Sequence, residues 1–152
     1  MNKKFFIFTD GSAIGNPGPA GWAAIVIHRT RRQEISGSVS WSTVSEMELR
    51  AAVEALRLTP SGARVELRSD SELLIDGMRF RVFRWQRFGW RNCRGFELRH
   101  QELWRELLLL NADRTIRWLW VKGHSGHPIQ SRVDAIAYQA ARAVAAQERI
   151  AA

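Results

Sequence analysis

Phe5-Phe6-Ile7-Phe8-Thr9-Asp10-Gly11-Ser12 is an apolar run that ends abruptly in one carboxylate and a glycine. Four consecutive apolar residues leave no polar face, so the run predicts a strand covered on both sides, at the centre of a sheet. Asp10 then sits at its C-terminal end. In open α/β sheets that edge is where ligands gather, because the strand ends and the loops after them form a crevice. A second strand, Arg64-Val65-Glu66-Leu67-Arg68-Ser69, alternates with period two and also leads into a carboxylate, Asp70. Two strands delivering two carboxylates to one edge suggest a metal site. Singly, each has a plainer explanation. Asp-Gly is a common turn dipeptide, and Ser69-Asp70-Ser71-Glu72 reads as a helix start with Ser69 capping and Glu72 completing a capping box.

Outward from the first strand, positions 15 to 21 hold five glycines or prolines and predict a tight loop whose spacing is not that of a dinucleotide or Walker loop. Trp22 to Ile27 reads as a strand, Arg29, Arg31 and Arg32 as a basic turn, and Glu34 to Trp41 as the hairpin partner, so the chain opens with a three-stranded antiparallel meander. A helix begins near Thr43, whose spacing to Glu46 makes a capping box, and Leu49, Ala52, Val53 and Leu56 form its apolar stripe. Glu48 lies about 40° from Ala52 on the helical wheel, at the edge of that stripe. Further on come a short helix (71–78), a helix over 102–110 and a fifth strand over 115–121. A glycine-hinged loop, Lys122-Gly123-His124-Ser125-Gly126-His127-Pro128, follows them. Pro128 opens a long helix with Ile129, Val133, Ile136, Ala140 and Val144 inward and Asp134 about 60° from Ala137, again at the stripe's edge.

The 152 residues contain no linker, repeat or low-complexity tract and are read as one domain, 1–152. Lys and Arg number 23 against 15 Asp and Glu, a net charge of +8 that favours a polyanionic partner, and nearly all the cations are arginine, which matches phosphate with a planar fork. Between Arg79 and Arg99 stand seven arginines and one acid, interleaved with Phe80, Phe83, Trp85, Phe88, Trp90 and Phe96. Cations that neutralise a phosphate backbone beside rings that pack on sugars and bases make this segment the predicted nucleic-acid grip. A single cysteine, Cys93, has neither a disulfide partner nor a CxxC mate. With no signal peptide or membrane span in the sequence, the expected location is the cytoplasm.

Taken together, six stretches resemble type 1 ribonuclease H of the bacterial ribonuclease HI kind. They are Phe8-Thr9-Asp10-Gly11-Ser12 with Gly15-Asn16-Pro17-Gly18-Pro19; Met47-Glu48-Leu49-Arg50-Ala51-Ala52; Ser69-Asp70-Ser71; Gly89-Trp90; Trp120 to Pro128; and Arg132-Val133-Asp134. They span about the first 140 residues in the family's order. The resemblance implies an α/β fold, a five-stranded mixed sheet with an antiparallel meander, parallel strands and helices on both faces. It implies an endonuclease that cuts the RNA strand of RNA/DNA hybrids, largely regardless of sequence, leaving 5′-phosphate and 3′-hydroxyl ends. Asp10, Glu48, Asp70 and Asp134 would be its acidic residues and His124 its mobile histidine, with the segment 79–99 as a basic protrusion gripping the hybrid.

Oxygen-only ligands select hard cations, so Mg²⁺ is the expected cofactor and Mn²⁺ the substitute. In a two-ion arrangement Asp10 would bridge both ions, Glu48 and Asp70 would hold the leaving-group side and Asp134 the water side. By the same resemblance, Glu48 and backbone groups from Gly11 to Asn16 read the RNA 2′-hydroxyl and Thr43 meets a DNA phosphate. Ser45, Glu72, Arg84 and Trp85 complete the expected substrate contacts, and a monomer is expected. The chain departs from the family's pattern at Val44-Ser45 where an amide pair is usual, at Glu46 where Arg is common, at Glu72 beside Asp70 and at Arg81 where an aromatic is common. The competing reading is a catalytically weak hybrid-binding module, for which nothing would retain four mutually repelling acids.

Overall fold

The computed structural model describes residues 3–151. The hairpin of β1 (Lys4–Ala13) and β2 (Gly18–His28) continues into β3 (Arg31–Ser42), giving the expected meander. Helix α1 (Val44–Arg57) crosses to β4 (Arg64–Ser69); β5 (Thr115–Trp120) adds outside β4, in the order β3-β2-β1-β4-β5. β1 pairs antiparallel with β2 and parallel with β4, and β4 parallel with β5, so the sheet is mixed with the apolar run at its centre.

Successive strand residues point to opposite faces. Ile7 accordingly joins Leu49, Val53 and Leu56 of α1 in one core, while Phe8 joins Val133 and Ala137 of the long helix on the other. Helices therefore cover both faces, which is what a strand without a polar side requires.

Several local expectations need correcting. β1 does not stop at Asp10: it runs to Ala13, and β2 begins already at Gly18, so most of the glycine-proline stretch is strand. The reason is packing. A Cβ on Gly21 would lie 2.5 Å from the Ala137 carbonyl oxygen and 2.6 Å from the Ala141 nitrogen, so glycine is what allows the long helix onto β2. Asp10 is nonetheless at a strand-end rim, because the parallel pairing of β1 with β4 ends at Phe8.

The helix after β4 is capped by Ser71, whose hydroxyl accepts from the Leu74 amide at 3.2 Å, not by Ser69. It also does not end near Met78. α2 (Glu72–Asp76) passes through a π-helical turn (Gly77–Arg81) into α3 (Val82–Arg87). Gly77 leaves no room for a Cβ against the Trp104 ring, and Arg79 Nε donates to the Trp118 carbonyl on β5 at 2.8 Å.

α4 spans Gln101–Ala112 and α5 Pro128–Ala151. The buried stripe of α5 is Gln130, Val133, Ala137, Ala141 and Val144, whereas the predicted Ile129, Ile136 and Ala140 are only half-buried. Small alanines face Gly21, and the helix is rotated accordingly. At α1, Thr43 accepts from the Glu46 amide at 3.2 Å as expected, but the Glu46 carboxylate turns to the Ser42 hydroxyl instead of closing the capping box. Among the described residues no helix is long and apolar enough to cross a membrane.

Candidate active site

Three elements bring the acids together. Asp10 comes from the centre of β1, Asp70 from the residue after β4, and Glu48 from the second turn of α1. Gly11 makes the approach possible: a Cβ there would lie 2.7 Å from the Glu48 backbone nitrogen, so any other residue would push α1 away. As a result Asp10, Glu48 and Asp70 each present a carboxylate oxygen within 4.8 Å of the others. Asp10 and Glu48 are buried, and the Ser69 hydroxyl stands 3.5 Å from Glu48 Oε2.

Asp134 lies outside that trio but lines the same cleft of about 350 Å³, its carboxylate 3.6 Å from His124 Nδ1. The His124 ring is almost wholly exposed, and its backbone is left-handed at φ 56°. Gly123 packs against Asp70, since a Cβ there would sit 3.0 Å from Asp70 Oδ2.

Burial first, then interaction with Asp134 and the charge of Asp70, pushes the Asp10 carboxyl up to about 8. Glu48 is held well above the usual carboxylate range by its complete burial and by the charges of Asp10 and Asp70. Without a cation the cluster therefore retains protons. An all-oxygen donor set this close, and this costly to ionise, fits a hard divalent ion: the ion's charge would offset the repulsion that raises both groups.

A larger groove of about 770 Å³ adjoins the cleft, sharing Ser45 with it. Asn16, Thr43, Ser45 and Trp85 line it, and the Asn16 side-chain oxygen accepts from the Val44 amide at 3.1 Å. Gly11 belongs to the acidic cleft. Glu72 and Arg84 line neither hollow; the Arg84 guanidinium instead lies 5.9 Å from the Phe88 ring centre.

The RNase H family model matches residues 2–142 of the chain. The chain belongs to the RNase H family. Ribonuclease H of Moorella thermoacetica is 42% identical over 147 residues, covering 96% of this chain and 97% of the relative. Ribonuclease HI of Caulobacter vibrioides is 38% identical over 142 residues, 93% of this chain and 95% of the relative. The crystal structure of LC9-RNase H1, a type 1 RNase H with the type 2 active-site motif, superposes with a TM-score of 0.84 at 27% identity, over 94% of this chain and 74% of that one. The protein is thus a ribonuclease H enzyme of type 1.

For this RNase H, reading the sequence missed part of each hollow. Gln130, Ser125 and Ser131 line the acidic side with His124 and Asp134. Gln130 could have been found, being one helical turn before Asp134 and therefore on the same face. Its amide donates to the Thr9 carbonyl at 3.3 Å. In the groove Trp41, Leu73, Leu98, Arg99 and His100 were missed. Leu73 and His100 come from segments that only the tertiary fold brings beside α1, and Leu98 and Arg99 close the segment already expected to grip the substrate. Trp41 stands just ahead of α1, where its place at the end of an alternating strand gave no sign of a groove.

Proposed function

We propose that the protein hydrolyses the RNA strand of RNA/DNA hybrids, acting as one monomeric domain in the cytoplasm, with Asp10, Glu48, Asp70 and Asp134 holding Mg²⁺ or, in substitution, Mn²⁺. The observation that carries this reading is the trio of carboxylates gathered within 4.8 Å at the mouth of the sheet. A pair of divalent ions bound there would supply a polarised water and neutralise charge on the scissile phosphate, giving 5′-phosphate and 3′-hydroxyl ends.

The chain's own residues do the rest. Glu48 and the backbone at Gly11, which face the cleft together, are placed to meet the 2′-hydroxyl that marks ribose. Thr43 and Asn16, at the start of α1, are placed to meet the uncut strand, with Ser45 between the two strands. Backbone contacts of this kind fix the duplex without reading bases, so cleavage is expected to be largely independent of sequence. His124, exposed beside Asp134, is positioned to take up a proton or to help product leave. The arginine-rich segment over 79–99 supplies the phosphate grip.

The test is cleavage of an end-labelled hybrid with Mg²⁺, beside single-stranded RNA, duplex DNA and a chelator control. Chelator-sensitive cutting confined to the RNA of the hybrid is expected, and His124→Ala should lower kcat by about 10²-fold while hybrid binding persists. A hybrid bound tightly yet left uncut with either ion would give the binding-module reading instead.

A further inference from the structure

Among the seven tryptophans, Trp41 stands apart. Trp22 is covered by Gly37, Trp85 meets Trp104 edge-on at 4.9 Å, and Trp90 carries Arg105 over its ring at 5.0 Å. Trp118 donates to Asn111, and Trp120 to the Asp70 carbonyl. The Trp41 side chain has no ring contact and no hydrogen bond among the described residues, and 70% of its surface is exposed. Leaving so large an apolar ring in water forfeits burial, and the next most exposed tryptophan, Trp120, at 47%, at least anchors its ring by a hydrogen bond.

Its position gives the ring a use. Ser42, next along β3, is buried and held by Glu46, and Thr43 caps α1, so the backbone carrying Trp41 is fixed on its C-terminal side. The ring lines the 770 Å³ groove with Asn16 and Thr43, while Trp85 and His100 reach it from α3 and from the start of α4. The groove's charges largely offset: Glu46 opposes Arg99. A phosphate backbone lying there gains little net Coulomb attraction from the lining itself. Val44 and Ser45, in turn, offer no amide side chain for hydrogen bonding.

We propose that Trp41 is a substrate-binding residue whose ring packs on the sugars and bases of the uncut strand, supplying a salt-independent share of the hybrid affinity. This rests on the hybrid reading above. Stacking on an exposed, pre-positioned ring is sequence-tolerant and releases no counterions, so it adds to affinity without adding to the salt slope.

The experiment is fluorescence anisotropy of a labelled RNA/DNA hybrid in chelator, where nothing is cut, with wild type, Trp41→Ala, Trp41→Phe and Tyr138→Ala. Tyr138 is another exposed aromatic, on α5 and away from both hollows. Trp41→Ala should raise Kd about tenfold with an unchanged slope of log Kd against log salt and an unchanged melting temperature. Trp41→Phe should retain most of the affinity, and Tyr138→Ala all of it. Equal Kd for wild type and Trp41→Ala overturns the role of Trp41 and leaves the hybrid reading standing, as does a loss accompanied by a shallower salt slope. A wild-type protein that does not bind the hybrid overturns both.

Discussion

Asp10→Asn should abolish cleavage while making the metal-free protein more stable. Asp10 is the member of the carboxylate trio that the central strand carries, and an amide at that buried position loses the charge that a divalent ion needs. A fall of about 10³-fold or more in kcat/KM is expected, on the order of 4 kcal/mol of transition-state stabilisation.

The stability effect follows from the direction of the pKa shift. Between the ordinary carboxylate range and about 8, folded Asp10 keeps a proton that the unfolded chain has already released. The unfolded state then binds fewer protons, so this group makes stability fall as pH rises through that window, with the full penalty present above it. At pH 8.5 in chelator the asparagine variant should melt about 4–8 °C higher than wild type, for ~2 kcal/mol of relieved strain. Its melting temperature should also vary less between pH 5 and 8.5. Mg²⁺ should raise the wild-type melting temperature and leave the variant's nearly unmoved. A variant that retains substantial cleavage, or that melts lower than wild type at pH 8.5, would refute the assignment of Asp10.

The second large effect is expected far from the chemistry. Gly21→Ala puts a methyl group into backbone atoms of Ala137 and Ala141, which cannot rotate away as a side chain could. Either α5 lifts from β2 or the strand bends. The cost should be about 3 kcal/mol, seen as a melting temperature lowered by about 6–12 °C. Because α5 also carries Gln130 and Asp134 into the cleft, kcat should fall about tenfold in the fraction that remains folded. Wild-type melting and turnover in Gly21→Ala would mean that the helix is free to shift at no cost.

That glycine also marks where the sequence could and could not be read. Apolar periodicity was enough for β1, α1 and the direction of α5, since a covered strand and an amphipathic helix each have one way to hide their apolar residues. The acids were legible through their motifs, and the fold brings Asp10, Glu48 and Asp70 together, with Asp134 across the same cleft. Gly18 yields to the Ile14 carbonyl within its own hairpin. Gly21, by contrast, reads as a turn residue because local preference is all the sequence offers, whereas its cause is a helix more than a hundred positions away. The π-helical turn at Gly77–Arg81 was invisible for the same reason: its glycine yields to Trp104, which arrives from α4. Ser69 looked like a cap, but the buried end of β4 turns its hydroxyl to the Ser71 amide at 3.0 Å, and the capping passes to Ser71.

The bond from Arg79 to the Trp118 carbonyl has a meaning beyond tying a helix to a strand. β5 is the last strand of the sheet, and its outward carbonyls are what a stray chain would pair with. A guanidinium seated on the middle of that edge interrupts the ladder and places a positive charge where an identical molecule would have to dock its own. The arginine-rich segment that is expected to serve the substrate thus also blunts one open edge of the sheet against pairing with a second copy.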